Sequence, residues 1–119
     1  MEDINLNEAL IKDMKRRFVK SFLDLLILKL IQNEPTWGYK ILKETEALYQ
    51  IKLRHGALYP LLSTLEANGF IKGKQELQKG RIRKVYQITP KGTYIIKTYE
   101  NFLKQQLQKT KPKTKEKNK

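Results

Sequence analysis

Residues 54–70, RHGALYPLLSTLEANGF, constrain the fold of this chain more than any other stretch. Apolar side chains recur there at helical spacing and share one face, which we expect to be buried: Leu58, Leu61, Leu62 and Leu65. Pro60 is expected in the first turn, where a missing N–H is harmless, and Asn68-Gly69 are residue types that end a helix. The stretch therefore predicts a short, sharply bounded helix of roughly three turns.

The opposite face of this predicted helix has small or hydrogen-bonding side chains: Ala57, Tyr59, Ser63, Thr64, Glu66 and Ala67. Two strand-like runs follow at residues 70–77 and 82–88, joined by residues 78–81. The joint and the second run are basic, with Lys79, Arg81, Arg83 and Lys84. A short helix followed by a basic hairpin is typical of a winged helix-turn-helix, in which the helix enters the major groove and the hairpin lies along the phosphates.

The charge of the chain supports an anionic partner. Lys and Arg number 25 against 12 Asp and Glu, which gives a net charge of +13. Nucleic acid is the first candidate partner, and an acidic membrane surface is the second. The winged-helix pattern specifies double-stranded DNA as the nucleic acid. Residues 108–119 hold six lysines and one glutamate, so this tail explains only part of the charge. Because the tail has no apolar residue, it is predicted to be disordered.

The composition leaves little basis for catalysis. The 119 residues include no cysteine and a single histidine, His55, so a thiolate site and a metal cluster of several histidines are excluded. We predict no enzyme activity and no cofactor. The longest apolar run, residues 22–31, is too short to span a bilayer, and no signal peptide is visible. We expect no stable membrane insertion and a cytoplasmic, nucleoid-associated location.

The N-terminal third predicts two helices. Residues 1–20 form a basic amphipathic helix that Asn5 or Asn7 caps; its charges form a solvated face, contact phosphate or lie on a membrane surface. Residues 22–31 are apolar on two sides, which favours the core on one side and a second subunit on the other. Asp24 within this run must be exposed, hydrogen-bonded or paired with Lys20, Lys29 or a partner chain.

Residues 36–49 predict the next helix, capped by Thr36, with Trp37 and Tyr39 as core anchors or, alternatively, part of a ligand or dimer pocket. Leu53 is a candidate third strand beside the hairpin. Thr89-Pro90 predicts the start of a C-terminal helix over residues 90–107, whose apolar stripe indicates pairing with a second chain.

The predicted fold is mainly α with a small β-hairpin wing, a winged helix-turn-helix. Its parts are an N-terminal helix (1–20), the DNA-binding domain (21–89), a dimerisation helix (90–107) and the tail (108–119). A homodimer is predicted through the N- and C-terminal helices, with these contact residues: Phe22, Leu25, Ile95, Tyr99, Phe102 and Leu103.

The chain resembles the PadR-like transcriptional regulators over residues 22–103. The resemblance consists of LDLLILKLI at 23–31, Gly38-Tyr39, GALYPLL at 56–62, and then Leu65-Glu66 and Gly69. It continues in GRIRKVY at 80–86, Thr89-Pro90 and Gly92. It implies a homodimeric winged helix-turn-helix repressor of a palindromic operator, in a short form with one C-terminal helix.

Some short members of that family bind flat aromatic drugs in a dimer pore through a tryptophan on the last helix. Leu103, with Phe102 beside it, lies about where that tryptophan falls. The resemblance therefore suggests a small aromatic effector as a partner. The absence of the tryptophan at this position does not support it. The hydroxyl residues usual at the start of the recognition helix are here Arg54 and Ala57, and Arg54 substitutes a charge-assisted contact.

The predicted DNA-binding residues lie on the recognition helix, residues 56–68, and on the wing, residues 78–84. They are Arg54, His55, Tyr59, Ser63, Thr64, Lys79, Arg81, Arg83 and Lys84. Ser63 and Thr64 face the groove; Tyr59 contacts phosphate or stacks on the core; Arg81 rests on phosphate or reaches the minor groove. The alternatives to a repressor are an architectural protein that coats DNA with little sequence preference and a membrane-surface protein.

Overall fold

The computed structural model describes residues 7–110. Within that range the chain forms five helices and three strands, in this order: α1 (Glu8–Ser21), α2 (Leu23–Asn33), β1 (Thr36–Trp37), α3 (Gly38–Tyr49), α4 (His55–Ala67), β2 (Ile71–Gln78), β3 (Arg81–Ile88) and α5 (Pro90–Gln108). The strands form one antiparallel sheet in the order β1-β3-β2. The fold is therefore mainly α with a small sheet, as predicted.

The core lies where α2 meets α3, α4 and the base of the hairpin. Helix α2 is apolar around most of its circumference and is the central element, with five buried residues. The fully enclosed aliphatic side chains come from α2, α3, the segment before α4, α4 and β2: Ile27, Leu28, Ile31, Ile41, Ile51, Leu58, Leu62 and Ile71. The leucine face of α4 is thus turned inward, which leaves its opposite face at the surface.

The helix ends follow their local chemistry. Asn7 caps α1, because its side chain accepts a hydrogen bond from the Ala9 N–H at 2.7 Å. Helix α4 ends at Ala67, and the chain turns away at Gly69, which has a φ of +79°. The Phe70 N–H there donates to the Leu65 carbonyl at 3.0 Å. The Thr89 hydroxyl accepts from the Gly92 N–H at 3.0 Å and so starts α5.

The third strand differs from the prediction. It is β1, in which Thr36 pairs with Tyr86 and Trp37 with Val85, whereas Leu53 lies outside the sheet and packs against the core. Thr36 is therefore a buried strand residue rather than the cap of α3. Two short segments meet here across about fifty residues of chain, a pairing that local pattern does not encode.

Two further residues lie elsewhere than predicted. Helix α4 begins at His55, so Pro60 is in the second turn rather than the first, and it leaves the Gly56 carbonyl without its helical donor. Tyr39, predicted as a core anchor, has 54% of its surface exposed, while Trp37 beside it is half-buried.

The hairpin closes through Lys79 and Gly80 alone. Both residues have positive φ, +51° and +79°, which is the backbone of the tight two-residue turn that matches the twist of antiparallel strands. The joint is shorter than the predicted four residues, since Gln78 and Arg81 pair with each other across the hairpin. The wing is thus a continuous eight-residue ladder up to its tip.

Helices α1 and α5 contain most of the apolar surface that the single chain leaves uncovered. No residue of α1 is buried, and Leu10, Met14 and Phe18 form an exposed stripe along it. The residues predicted to contact a second chain differ among themselves: Phe22, Tyr99 and Phe102 are exposed, Ile95 and Leu103 are half-buried, and Leu25 is buried within the chain.

Charged groups on α2 are placed at the surface. Asp24 is exposed in the first turn, where the helix dipole favours a negative charge. Lys29 forms an ion pair with Glu100 of α5 and not with Asp24. The tail predicted to be disordered is residues 108–119. Residues 111–119 lie outside the described residues, as do residues 1–6, whereas Gln108 still belongs to α5.

Candidate nucleic-acid interface

The outer face of α4 is at the surface in its middle, at Ser63 and Thr64. Ser63 and Thr64 are exposed, and the Thr64 hydroxyl donates to the Pro60 carbonyl at 3.1 Å, which leaves its oxygen able to accept. Leu58, Leu62 and Leu65 hold the opposite face against the core. Side chains of this size let a helix approach another polar surface closely, as entry into a major groove requires.

Aromatic rings and a cation lie at the start of α4. His55 and Tyr59, one turn apart, stack with ring centroids 5.7 Å apart and an angle of 14° between planes. Arg54 occupies the N-cap position, and its side chain makes no capping bond. The first backbone N–H groups of a helix and its dipole both favour an anion. This end of α4 therefore presents donors suited to phosphate.

Tyr59 has two roles, because it packs and is also partly exposed. Its hydroxyl lies so close to Gly38 that a methyl group on that glycine would collide with it. At the same time 44% of the residue remains exposed. Gly38 thus lets the tyrosine lie across the start of α3, which fixes the direction in which the hydroxyl points.

The basic residues of the wing fall into two groups. Lys79 and Arg81 are exposed at the tip. The other two have partners within the chain: the Arg83 guanidinium lies 4.9 Å from the centroid of the Trp37 ring, and the Lys84 ammonium lies 3.0 Å from the Glu66 carboxylate. Arg83 and Lys84 therefore also position the wing, whereas Lys79 and Arg81 are available to a ligand.

An open cleft of about 400 Å³ separates the wing from the starts of α3 and α4. Its lining brings together Tyr39, His55, Arg81, Ile82 and Arg83. Sequence reasoning missed Tyr39 and Ile82. Gly38 could have indicated that another residue lies close to the start of this helix. Nothing in the neighbouring sequence, however, indicated that Tyr39 would be exposed.

Glu66 ties the recognition helix to the wing. Its carboxylate accepts from the Lys84 ammonium at 3.0 Å and from the Gly73 N–H at 3.1 Å. The hydrogen bond from Lys84, aided by that from Gly73, lowers the pKa of Glu66, and the same bond raises the pKa of Lys84. The stabilisation from Glu66 is present above its ordinary pKa of 4.5 and is lost as the pH falls through the lowered value.

Glu66→Gln is expected to strengthen binding to DNA of any sequence, because it frees the Lys84 charge next to α4. The slope of log affinity against log salt should steepen by about one, while the free energy of unfolding should fall by no more than about 1 kcal/mol. Fluorescence anisotropy with a random-sequence duplex at several salt concentrations measures the first effect, and urea unfolding the second.

Glu76→Gln is the matched control for that variant. Glu76 lies on the same hairpin as Lys84, and its substitution removes the same charge as that of Glu66. The Glu76 carboxylate, however, accepts from the Gln78 amide rather than from a lysine. The control should leave the salt slope unchanged. An equal steepening in both variants would show that Lys84 is not the group released.

The part of the chain that the structure describes has neither a metal-binding cluster nor a membrane-spanning helix. Among residues 7–110, no group of three or more His, Asp or Glu side chains is arranged to hold a metal ion. Within the same part of the chain, no helix has both the length and the apolar character needed to cross a membrane.

The order of elements and this surface together define a class of protein. Helices α3 and α4 form a helix-turn-helix, and the hairpin of β2 and β3 follows α4 as a wing. The chain is a winged helix-turn-helix domain of the kind found in transcriptional regulators.

Comparison with known proteins identifies the family. The chain belongs to the transcriptional regulator PadR-like family, whose model matches residues 27–98. A transcriptional regulator from Clostridium thermocellum superposes with a TM-score of 0.67 at 25% identity, covering 76% of this chain and 90% of the other. A PadR family transcription regulator from Clostridium difficile gives 0.63 at 25% identity, with coverages of 71% and 92%. A putative transcriptional regulator from Thermoplasma acidophilum gives 0.66 at 27%, with coverages of 74% and 85%.

A shorter match agrees with these. Transcriptional regulator Rv3488 of Mycobacterium tuberculosis is 49% identical over 37 residues, which are 31% of this chain and 35% of that protein. The resemblance to PadR-like regulators is confirmed, and with it the winged-helix fold and the assignment to DNA-binding regulators of transcription. The prediction that the chain is not an enzyme is also confirmed, because the family and its structural relatives are regulators.

Proposed function

We propose that this protein is a dimeric repressor that binds a palindromic operator, with α4 in the major groove and the wing on the adjoining backbone. The observation that carries the proposal is the uncovered face of α4 next to a cleft lined by His55 and Arg81. A cytoplasmic, nucleoid-associated location is part of the same proposal.

The residues divide into two groups by the part of DNA that they would contact. Ser63 and Thr64, in the middle of the exposed face, would read base edges, where a hydroxyl donates or accepts. Arg54, His55 and Tyr59 at the helix start would contact phosphate, as would the wing residues Lys79, Arg81, Arg83 and Lys84. Phosphate contacts fix the register, so the two groups have different consequences when removed.

The uncovered apolar stripes support the dimer. Leu10, Met14 and Phe18 on α1 and Phe102 and Leu107 on α5 expose large apolar side chains along two helices. Contiguous apolar surface of this kind marks an interaction site on a small domain. A two-fold dimer through α1 and α5 would bury it and would place two copies of α4 on one duplex.

A small cavity at the same end supports an effector as a second element of the proposal. It has about 230 Å³ between α2 and α5 and is lined by Ser21, Phe22, Asp24, Leu25, Tyr99, Phe102 and Leu103. Aromatic walls suit a small aromatic molecule. Because the cavity lies beside the proposed dimer contacts, an occupant would alter the separation of the two DNA-reading helices.

Selection of bound duplexes from a random pool tests the proposed function. We expect one palindromic sequence to be enriched and then to compete at physiological salt on the order of 10³-fold better than random DNA. An architectural protein would show no such preference. Uptake by anionic vesicles in a flotation assay would instead favour the membrane-surface alternative.

Two kinds of substitution distinguish residues that position the protein on DNA from residues that read its sequence. Arg81→Ala should weaken binding to every duplex by about tenfold and reduce the salt slope by about one, because it removes a phosphate contact. Ser63→Ala or Thr64→Val should change which base is preferred at one position, at a cost of about 1 kcal/mol or more for the original sequence. Competition between the selected duplex and its single-base variants measures both; a uniform loss in the Ser63 variant would contradict its reading role.

A further inference from the structure

The wing carries an apolar pair that the fold does not use. Leu77 and Ile82 lie directly opposite each other on β2 and β3, one pair before the turn. Each has 71% of its surface exposed. A cross-strand pair stabilises a hairpin by at most about 1 kcal/mol, and β-branched polar residues would serve there equally. Two large aliphatic side chains that are adjacent and this exposed, close to the turn of the hairpin, indicate a surface that contacts a partner.

The pair lies on the side of the wing that faces the recognition helix. Residues two apart on a strand share a face, so Ile82 shares its face with Lys84 and Tyr86. Tyr86 is buried in the core, and Lys84 is bonded to Glu66 of α4. Ile82 also lines the cleft that contains His55 and Tyr39. Any duplex that α4 enters would therefore meet the apolar pair as well.

The charge around the pair selects the kind of partner. Lys79 and Arg81 flank it through the turn, and both are exposed. An apolar tip with a cationic border matches the minor groove, which has a negative potential and walls of deoxyribose. That groove is about 6 Å wide, too narrow for a helix or for the hairpin itself, so only side chains that project from the hairpin would enter it. Leu and Ile are among the side chains that proteins wedge between base steps there.

We infer that Leu77 and Ile82 form an apolar wedge that enters the minor groove beside the major groove occupied by α4 and bends the duplex at that point. This inference rests on the proposed function and adds to it a determinant of sequence. Pyrimidine–purine steps such as TA and CA under the wing deform most easily, so the operator flanks would be selected by deformability rather than by base contacts.

The test is the double variant Leu77→Thr/Ile82→Thr, which keeps good strand formers and removes only apolar contact. The probe is the duplex selected from the random pool by the wild-type protein. We expect affinity to fall about tenfold with an unchanged salt slope, because no charge is removed. Circular-permutation gel shifts should show a smaller bend. Arg81→Ala, by contrast, should change the slope.

Controls make the outcomes distinct. Leu48→Gln removes an exposed leucine from α3, away from the wing, and should leave affinity and bend unchanged. Thermal unfolding should show the double variant folded, and Leu77→Met/Ile82→Val should retain affinity. Unchanged affinity and bend in the double variant would overturn the wedge while leaving the proposed function intact. If the variant instead lost self-association alone, the pair would belong to a protein contact and the wedge would be wrong; failure of the wild type to select any duplex would refute both.

Discussion

Gly92→Ala is expected to lower the free energy of unfolding by about 3 kcal/mol or more. A methyl group at this position would collide with the backbone carbonyl oxygen of Phe70 and crowd the Ile88 side chain. A flexible side chain could move away, but a carbonyl held by the Thr89 N–H and hydroxyl cannot. Relief would require α5 to shift away from the sheet. Thermal unfolding at equal protein concentration should show a midpoint lower by more than about 10 °C.

Gly56→Ala is the matched control for this prediction. Gly56 is also in the first turn of a helix, but a methyl group there would meet no atom within 4 Å. Alanine is the better helix former, so the stability should stay the same or rise slightly. Equal destabilisation by both substitutions would show that the loss is not due to the close approach of α5 to Phe70.

Met14→Gln/Phe18→Gln is expected to convert the proposed dimer to a monomer at micromolar concentration. The two side chains expose 44% and 62% of their surface on a helix that has no buried residue. Their burial between two chains would be worth at least about 3 kcal/mol, so dimerisation should weaken more than about a hundredfold. Light scattering should give the mass of one chain, and affinity for a palindrome should fall while affinity for a half-site persists.

Lys20→Gln, in the last turn of the same helix, is the control for the dimer and should leave the mass unchanged. Two results would count against the prediction. A wild-type mass of one chain would exclude the dimer itself. A variant that remained fully dimeric would show that α1 does not contribute to the contact and would leave its apolar stripe without a function.

The fold could be predicted from the sequence where short-range chemistry decides the structure. The leucines of α4 repeat at helical spacing, Asn68-Gly69 ends that helix, and Thr89-Pro90 begins α5. Each signal is contained within a few residues, and no tertiary contact competes with it. The order of helix and hairpin then restricts the topology to a winged helix.

The rest depends on contacts between distant residues. Strand β1 is two residues long and exists only because β3 offers it a partner, so Thr36 gave no strand signal of its own. The pairing of Lys84 with Glu66 could not be predicted from either residue, since 18 positions separate them. The same holds for Arg83 over Trp37. The residue types of the candidate site were therefore predictable from the sequence. The sequence did not show which basic side chains of the wing have partners within the chain.

The Glu66 carboxylate holds the base of the wing to α4 through both a side chain and a backbone group. In the proposed dimer, α4 and the wing of each subunit would consequently move together as one rigid unit. A signal that weakened DNA binding would then act at the contact between the two subunits. It would change the distance between the two copies of α4 relative to the helical repeat of DNA, without changing the structure of either unit.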